Sequence, residues 1–173
     1  MANTFTAIRT LTVTGSAADI QFTNIPQTYT DLYVAITVGS RVNTGSIAAM
    51  VVYTQNGQSA TLSNWRNFRG LGTTVSSNTS AYPIIGEVEN NSSTNYFSST
   101  MLYISGYTSN ANKQIFLSES ATGVNSGLGT LSYNSLIINE TAPISFIGFG
   151  DGSNGGGFKV GSTATLYGIN KNP

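Results

Sequence analysis

Between Asp31 and Arg41 the side chains alternate without a break, with Leu32, Val34, Ile36 and Val38 on one parity and Tyr33, Ala35 and Thr37 on the other. Strand side chains point to opposite faces in turn, whereas a helix brings residues three or four apart onto one face. This run is therefore a core strand of a sheet, and any fold proposed for the chain must supply that sheet. Further runs recur at spacings of about 8 to 15 residues, separated by Gly, Asn, Ser and Pro, the punctuation of an all-β domain.

Thr4 to Val13 reads as a strand, two short strands or an arm, and Ala18, Ile20 and Phe22 alternate with Asp19 and Gln21 in a short strand. Pro26 holds Ile25 extended, so residues 24–27 form a loop aimed into the next strand. Ile47 to Tyr53 is apolar on both parities and predicts a strand buried on both sides, with Asn56-Gly57 as a hairpin turn after it. The polar tract Gly72 to Ser80 reads as an exposed loop, and Glu87-Val88-Glu89 as part of a strand. Tyr96 to Tyr107 and Gln114 to Glu119 make a hairpin turned at 109–112. Gly123 to Thr130 reads as a loop, with a strand beginning at Leu136 and another over Ile144 to Phe149. Gly150 to Gly157 is too rich in glycine for regular structure.

The closing run, Phe158 to Ile169, has no charge on either face of its final turn-free stretch, Ala164 to Ile169. Such a strand is most stable inside a sheet or against a partner. Roughly eight to ten strands and no amphipathic helix predict a single-domain, antiparallel, all-β sandwich of jelly-roll type with almost no helix. Residues 15–173 form the sandwich and residues 1–14 an N-terminal arm or first strand.

Composition narrows the function. Charged residues are 8% of the 173, against about 25% in an average domain, and seven basic residues balance seven acidic ones. No long-range field draws the chain to nucleic acid or to an anionic membrane, and no apolar run reaches the ~20 residues of a membrane-spanning helix. Residues 1–20 hold no run of seven or more apolar residues that would read as a secretory leader, so synthesis in a cytoplasm is expected. Near-zero net charge and few lysines to guard strand edges predict that much of the surface is covered by copies of the chain or by another protein, with a trimer as the first expectation.

The chain has no cysteine and no histidine. Thiol nucleophiles, thiolate metal sites and serine hydrolysis with a histidine base are thereby excluded. No cofactor is expected, and the chain reads as non-enzymatic. Asp151-Gly152-Ser153-Asn154 has oxygen ligands but a single carboxylate, so it reads as a glycine turn rather than a calcium site. Glu87 and Glu89 lie about 7 Å apart on one strand face, a glycosidase-like separation, and read as a solvated outer surface. Trp65, Arg66, Phe68 and Arg69 combine rings with guanidinium groups that can stack on sugars or anchor an interface. Tyr82 and Tyr107 are further exposed-tyrosine candidates for glycan or protein contact, and the bland reading of Trp65 and Phe68 is core.

The ending Gly161-Ser162 with Leu166-Tyr167-Gly168-Ile169 resembles the closing strand of small jelly-roll proteins on tailed-bacteriophage virions. The stretch Ile20 to Leu32, with Ile25-Pro26 and Thr28-Tyr29-Thr30, is similar to their opening. The resemblance implies a virion location and a structural role. A head decoration or cement protein bound to the major capsid protein or other virion proteins is the first expectation, and a receptor-binding tail-fibre tip the alternative.

Overall fold

The computed structural model describes residues 4–15, 19–42, 46–54, 58–59, 62–90, 96–123, 129–139, 141–152 and 157–170. Thirteen strands are present among them: β1 (Phe5–Thr12), β2 (Asp19–Thr23), β3 (Asp31–Val38), β4 (Ser46–Thr54), β5 (Gln58–Ser59), β6 (Leu62–Leu71), β7 (Thr74–Asn78), β8 (Ile84–Asn90), β9 (Ser98–Ser105), β10 (Ile115–Thr122), β11 (Thr130–Ile138), β12 (Phe146–Asp151) and β13 (Thr163–Ile169). No helix occurs among the described residues. The large sheet has eight strands in the order β1-β13-β3-β9-β10-β11-β6-β7, and the small sheet has β2-β12-β4-β5 with β8 also on β4. Every pairing is antiparallel, and the sheets pack face to face as a β-sandwich.

Leu32, Val34, Ile36 and Val38 are all buried, as their alternation predicts, and meet Ile20, Phe22, Met50, Val52, Ile147 and Phe149 of the small sheet in one core. The last strand lies inside the large sheet, between β1 and β3, with Ala164, Leu166 and Gly168 turned inward. Residues 5–12 form a true strand, bulged between Ala7 and Arg9, rather than a free arm. Asn24, at φ 55, takes the left-handed turn before Ile25-Pro26, a conformation asparagine tolerates better than branched residues.

Four pairings nest one inside another along the chain: β1 with β13, β2 with β12, β3 with β9, and β4 with β8. They are the rungs of one long antiparallel ribbon that passes from sheet to sheet, closed by β13 against β3 and β12 against β4. Two insertions, β5–β7 and β10–β11, meet through β11 and β6 and widen the large sheet.

Three expectations need correction. The strand number, thirteen among the described residues, exceeds eight to ten, and one of the additions is Thr74–Asn78, inside the tract read as a loop, which pairs with β6. That edge strand is solvated, so no apolar alternation is required of it. The strand expected to begin at Leu136 begins at Thr130, with Leu131 and Tyr133 alternating against Ser132 and Asn134. The strand read as ending at Phe149 continues through Gly150 and Asp151, where a Cβ on Gly150 would lie 2.7 Å from Asp19 Oδ1 and the Tyr53 hydroxyl. Glycine there makes room for packing rather than for a turn. The Asn56-Gly57 turn lies outside the described residues, although β4 and β5 on either side of it do pair.

The interior beneath β10 and β11 sets a group of hydroxyls and amides beside the apolar Phe116, Leu136 and Ile138. The free edge of β8 stands against the inner face of β10, and its backbone groups need partners there. Ser118 Oγ donates to the Ile85 carbonyl at 2.6 Å, and the Glu87 N–H donates to Ser120 Oγ at 3.3 Å. Thr100 Oγ1 donates to Ser120 Oγ at 2.9 Å, and the Ser98 and Thr122 hydroxyls bond to each other. Gly86 permits this approach, because a Cβ would sit 2.6 Å from Ser120 Oγ. Ser120→Ala is therefore expected to lower stability by about 1–3 kcal/mol by stranding the Glu87 N–H, with Ser99→Ala on the outer face as a control within about 0.5 kcal/mol. Equal urea midpoints for the two variants would remove the edge bond from the account.

Candidate functional site

With Phe116, Leu136, Ile138 and a set of hydroxyls turned inward on β10 and β11, the apolar residues of the other parity face out. Ile115, Leu117, Leu131 and Tyr133 are exposed by 43–47%, while Ser118, Ser120, Ser132 and Asn134 are buried. Pairing register aligns these side chains with those of neighbouring strands into cross-strand rows. One row runs Tyr167, Tyr33, Tyr103, Leu117, Ser135, Arg66, and the next Ala35, Met101, Glu119, Tyr133, Phe68, Ser77. Between them lies an open groove of about 640 Å3, lined mostly by carbon. Phe5 closes one end of the face, its ring edge-on to Tyr33 at 5.8 Å and to Tyr167 at 6.5 Å.

Electrostatics leave this face almost neutral. Asp31, at the end of β3, is buried and accepts from the Tyr103 hydroxyl at 2.6 Å and the Gly106 N–H at 2.9 Å. Apart from it, β3, β9, β10, β11 and β6 place two charged side chains on the face, Glu119 and Arg66. Tyr133 donates to Glu119 Oε1 at 3.2 Å, and the carboxylate raises its phenol pKa. Burial, with smaller contributions from Tyr167 and Glu119, raises that of Tyr33. Both tyrosines thus stay neutral hydroxyl donors at physiological pH.

Arg66 and Phe68, among the residues singled out from the sequence, stand on this face, with Phe68 55% exposed. Trp65 does not, and its assignment as a contact is corrected. It is buried on the inner face of β6, its Nε1–H donating to the Ile84 carbonyl at 2.7 Å, because alternation on β6 sends it opposite to Arg66. Tyr107, expected to be exposed, is fully buried, its hydroxyl donating to the Pro26 carbonyl and accepting from the Tyr29 N–H. It clamps the Ile25-Pro26 loop. Tyr82 is exposed in the turn before β8, away from the groove.

Arg69 faces a smaller cavity of about 260 Å3 between the sheets, its Nε 2.7 Å from Glu87 Oε1. Glu87 Oε2 is buried there without a hydrogen-bond partner. Glu89 is buried, and the solvated surface expected of these two glutamates is corrected, since Arg69 draws Glu87 inward. Burial lowers the Lys159 ammonium, an effect Glu89 opposes. Asp151 is also buried, accepting from Ser40 Oγ at 2.6 Å, while Ser153 and Asn154 lie outside the described residues. No group of three or more Asp and Glu among the described residues could hold a metal ion.

The residues that sequence reasoning missed are Leu117, Leu131, Tyr133, Met101 and Tyr33. Their signal was present, since β10 carries apolar residues on both parities and Leu131 and Tyr133 alternate with polar ones. In comparisons with known proteins, no family, no curated protein and no solved structure matches this chain.

Proposed function

We propose that this chain is a non-enzymatic structural protein of a tailed-phage particle, a head decoration or cement protein present in several copies. The observation that carries the reading is the apolar, charge-poor outer face of the large sheet, a surface type that marks protein contact rather than chemistry. The two antiparallel sheets packed as a β-sandwich supply the broad, flat face that such a role uses. Affinity comes from apolar contact and is multiplied by avidity in a symmetric shell.

Purified chain added to heads that lack it is expected to bind and to raise the temperature at which they release DNA. Leu117→Arg, at an exposed position, is expected to keep the fold and weaken head binding by at least tenfold, because it sets an unpaired charge in the contact. Undiminished binding by that variant would reject the face as the adhesive surface. A glycan-binding tail-fibre tip is the second reading, favoured by the aromatic flanks Tyr33, Tyr103, Tyr133 and Phe68 around the groove beside Arg66 and Glu119. Binding of the chain to host cells, with none to heads, would select it.

A further inference from the structure

We infer that the outer face of the large sheet is where two copies of this chain pack against each other about a two-fold axis. The inference rests on the reading of that face as adhesive and names its first occupant. Three observations carry it.

The first is area. Phe68, Met101, Leu117, Leu131, Tyr133 and Ile115 are 43–55% exposed. At about 200 Å2 for a whole large side chain, these six expose on the order of 600 Å2. Phe5 and the half-buried tyrosines of the same face bring the total to on the order of 800 Å2, above the ~300–600 Å2 of the largest patch on a typical monomer and equal to one partner's share of a standard interface.

The second is the placement of charge. Glu119 and Arg66 lie on strands β10 and β6, with β11 between them, and their rows are adjacent. They are about 10 Å apart across the strands and 7 Å along them. The midpoint falls on β11 between Tyr133 and Ser135. A two-fold axis lying in the contact plane, through that point and perpendicular to the line joining the two side chains, sets each Arg66 over the other copy's Glu119. A self-complementary contact of this kind needs opposite charges related by its own axis. Apart from the buried Asp31, β3, β9, β10, β11 and β6 carry no other charged side chain on this face among the described residues.

The third is net charge. Seven basic and seven acidic residues leave no repulsion between copies at neutral pH. The two-fold pair replaces the threefold association expected from the sequence, because a threefold contact joins two different patches and does not use a self-complementary one.

Sedimentation velocity on the full chain tests this over a dilution series from tens of micromolar downward. Wild type is expected to sediment as a dimer. Arg66→Glu and Glu119→Arg each turn two attractive pairs into repulsive ones, and each is expected to weaken the dimer by about tenfold or more. The double variant Arg66→Glu/Glu119→Arg restores the pairing with signs exchanged and is expected to return to within about threefold of wild type. Leu117→Arg is expected to sediment as a monomer with an unchanged circular dichroism spectrum. A monomeric or trimeric wild type, or a double variant weaker than either single, overturns the inference. Head binding separates its failure from that of the functional reading: a monomeric wild type whose attachment to heads is lost in Leu117→Arg leaves the adhesive face standing, with a capsid protein as occupant. If Leu117→Arg alters neither self-association nor head binding, both readings fall.

Discussion

Phe149→Ala is expected to lower unfolding stability by about 3–5 kcal/mol in urea titrations, the largest single-residue effect in this fold. Phe149 is fully buried at the centre of the small sheet, opposite Ile20 on β2 and Val52 on β4. Its ring meets Phe22 edge to face, with centroids 6.4 Å apart and planes at 76°. Truncation removes the transfer energy of the ring, opens a cavity that fixed sheets cannot close, and forfeits the aromatic pair, itself worth about 0.5–1.5 kcal/mol. A domain has about 5–15 kcal/mol in all, so the variant should stand close to unfolding at physiological temperature. Phe149→Leu keeps most of the volume and should cost clearly less. A loss below about 1 kcal/mol for the alanine variant would mean that the two sheets do not share this core.

Gly168→Ala should rank next, at about 3 kcal/mol, the upper end of the usual overpacking cost. Gly168 sits inside the large sheet, opposite Leu32 on β3 and Thr6 on β1, and the ring of Tyr29 lies flat over it. A Cβ there would stand 2.3 Å from Tyr29 Cγ, inside any van der Waals contact. Cγ is the root of the ring, so rotation about the last bond cannot clear it. Because the obstacle is a side chain, Tyr29→Ala should rescue. The double variant Gly168→Ala/Tyr29→Ala is expected to be more stable than the sum of the singles by at least 1 kcal/mol, the size of coupling seen between touching residues. Strict additivity would show that the cost lies in the backbone of β13 instead.

How much could be read in advance differs from strand to strand. Leu32 to Val38 was legible because one face is apolar throughout and the other is not. Thr163–Ile169 was legible as an interior strand because neither of its faces is charged. Thr74–Asn78 was not, since an edge strand solvated on its exposed sides has no pattern to show. Tyr107 was misplaced, and Trp65 was left open between contact and core, for a related reason. Both carry a polar tip on an apolar body and suit an interface as well as a core, and each is committed to the core by a carbonyl from a distant part of the fold, at Ile84 and Pro26. Glu87 likewise took its place from Arg69, eighteen positions away in sequence and on the other sheet.

The amino-acid sequence alone determined that the fold is all-β, that its sheets are antiparallel, and that its final strand lies inside one of them. Those properties follow from local alternation and from where charge is missing. Only the tertiary structure decided which parity of β10 and β11 faces inward. Alternation gives two faces and no sign, and hydrophobicity would have turned Leu117 and Tyr133 into the core. The free edge of β8 reverses that choice, because its buried backbone groups require hydrogen-bond partners and the hydroxyls of Ser118 and Ser120 provide them. Once the hydroxyls turn in, beside Phe116 and Leu136, the side chains of Ile115, Leu117, Leu131 and Tyr133 turn out, and the apolar outer face is formed by residues opposite in parity to those that satisfy the edge.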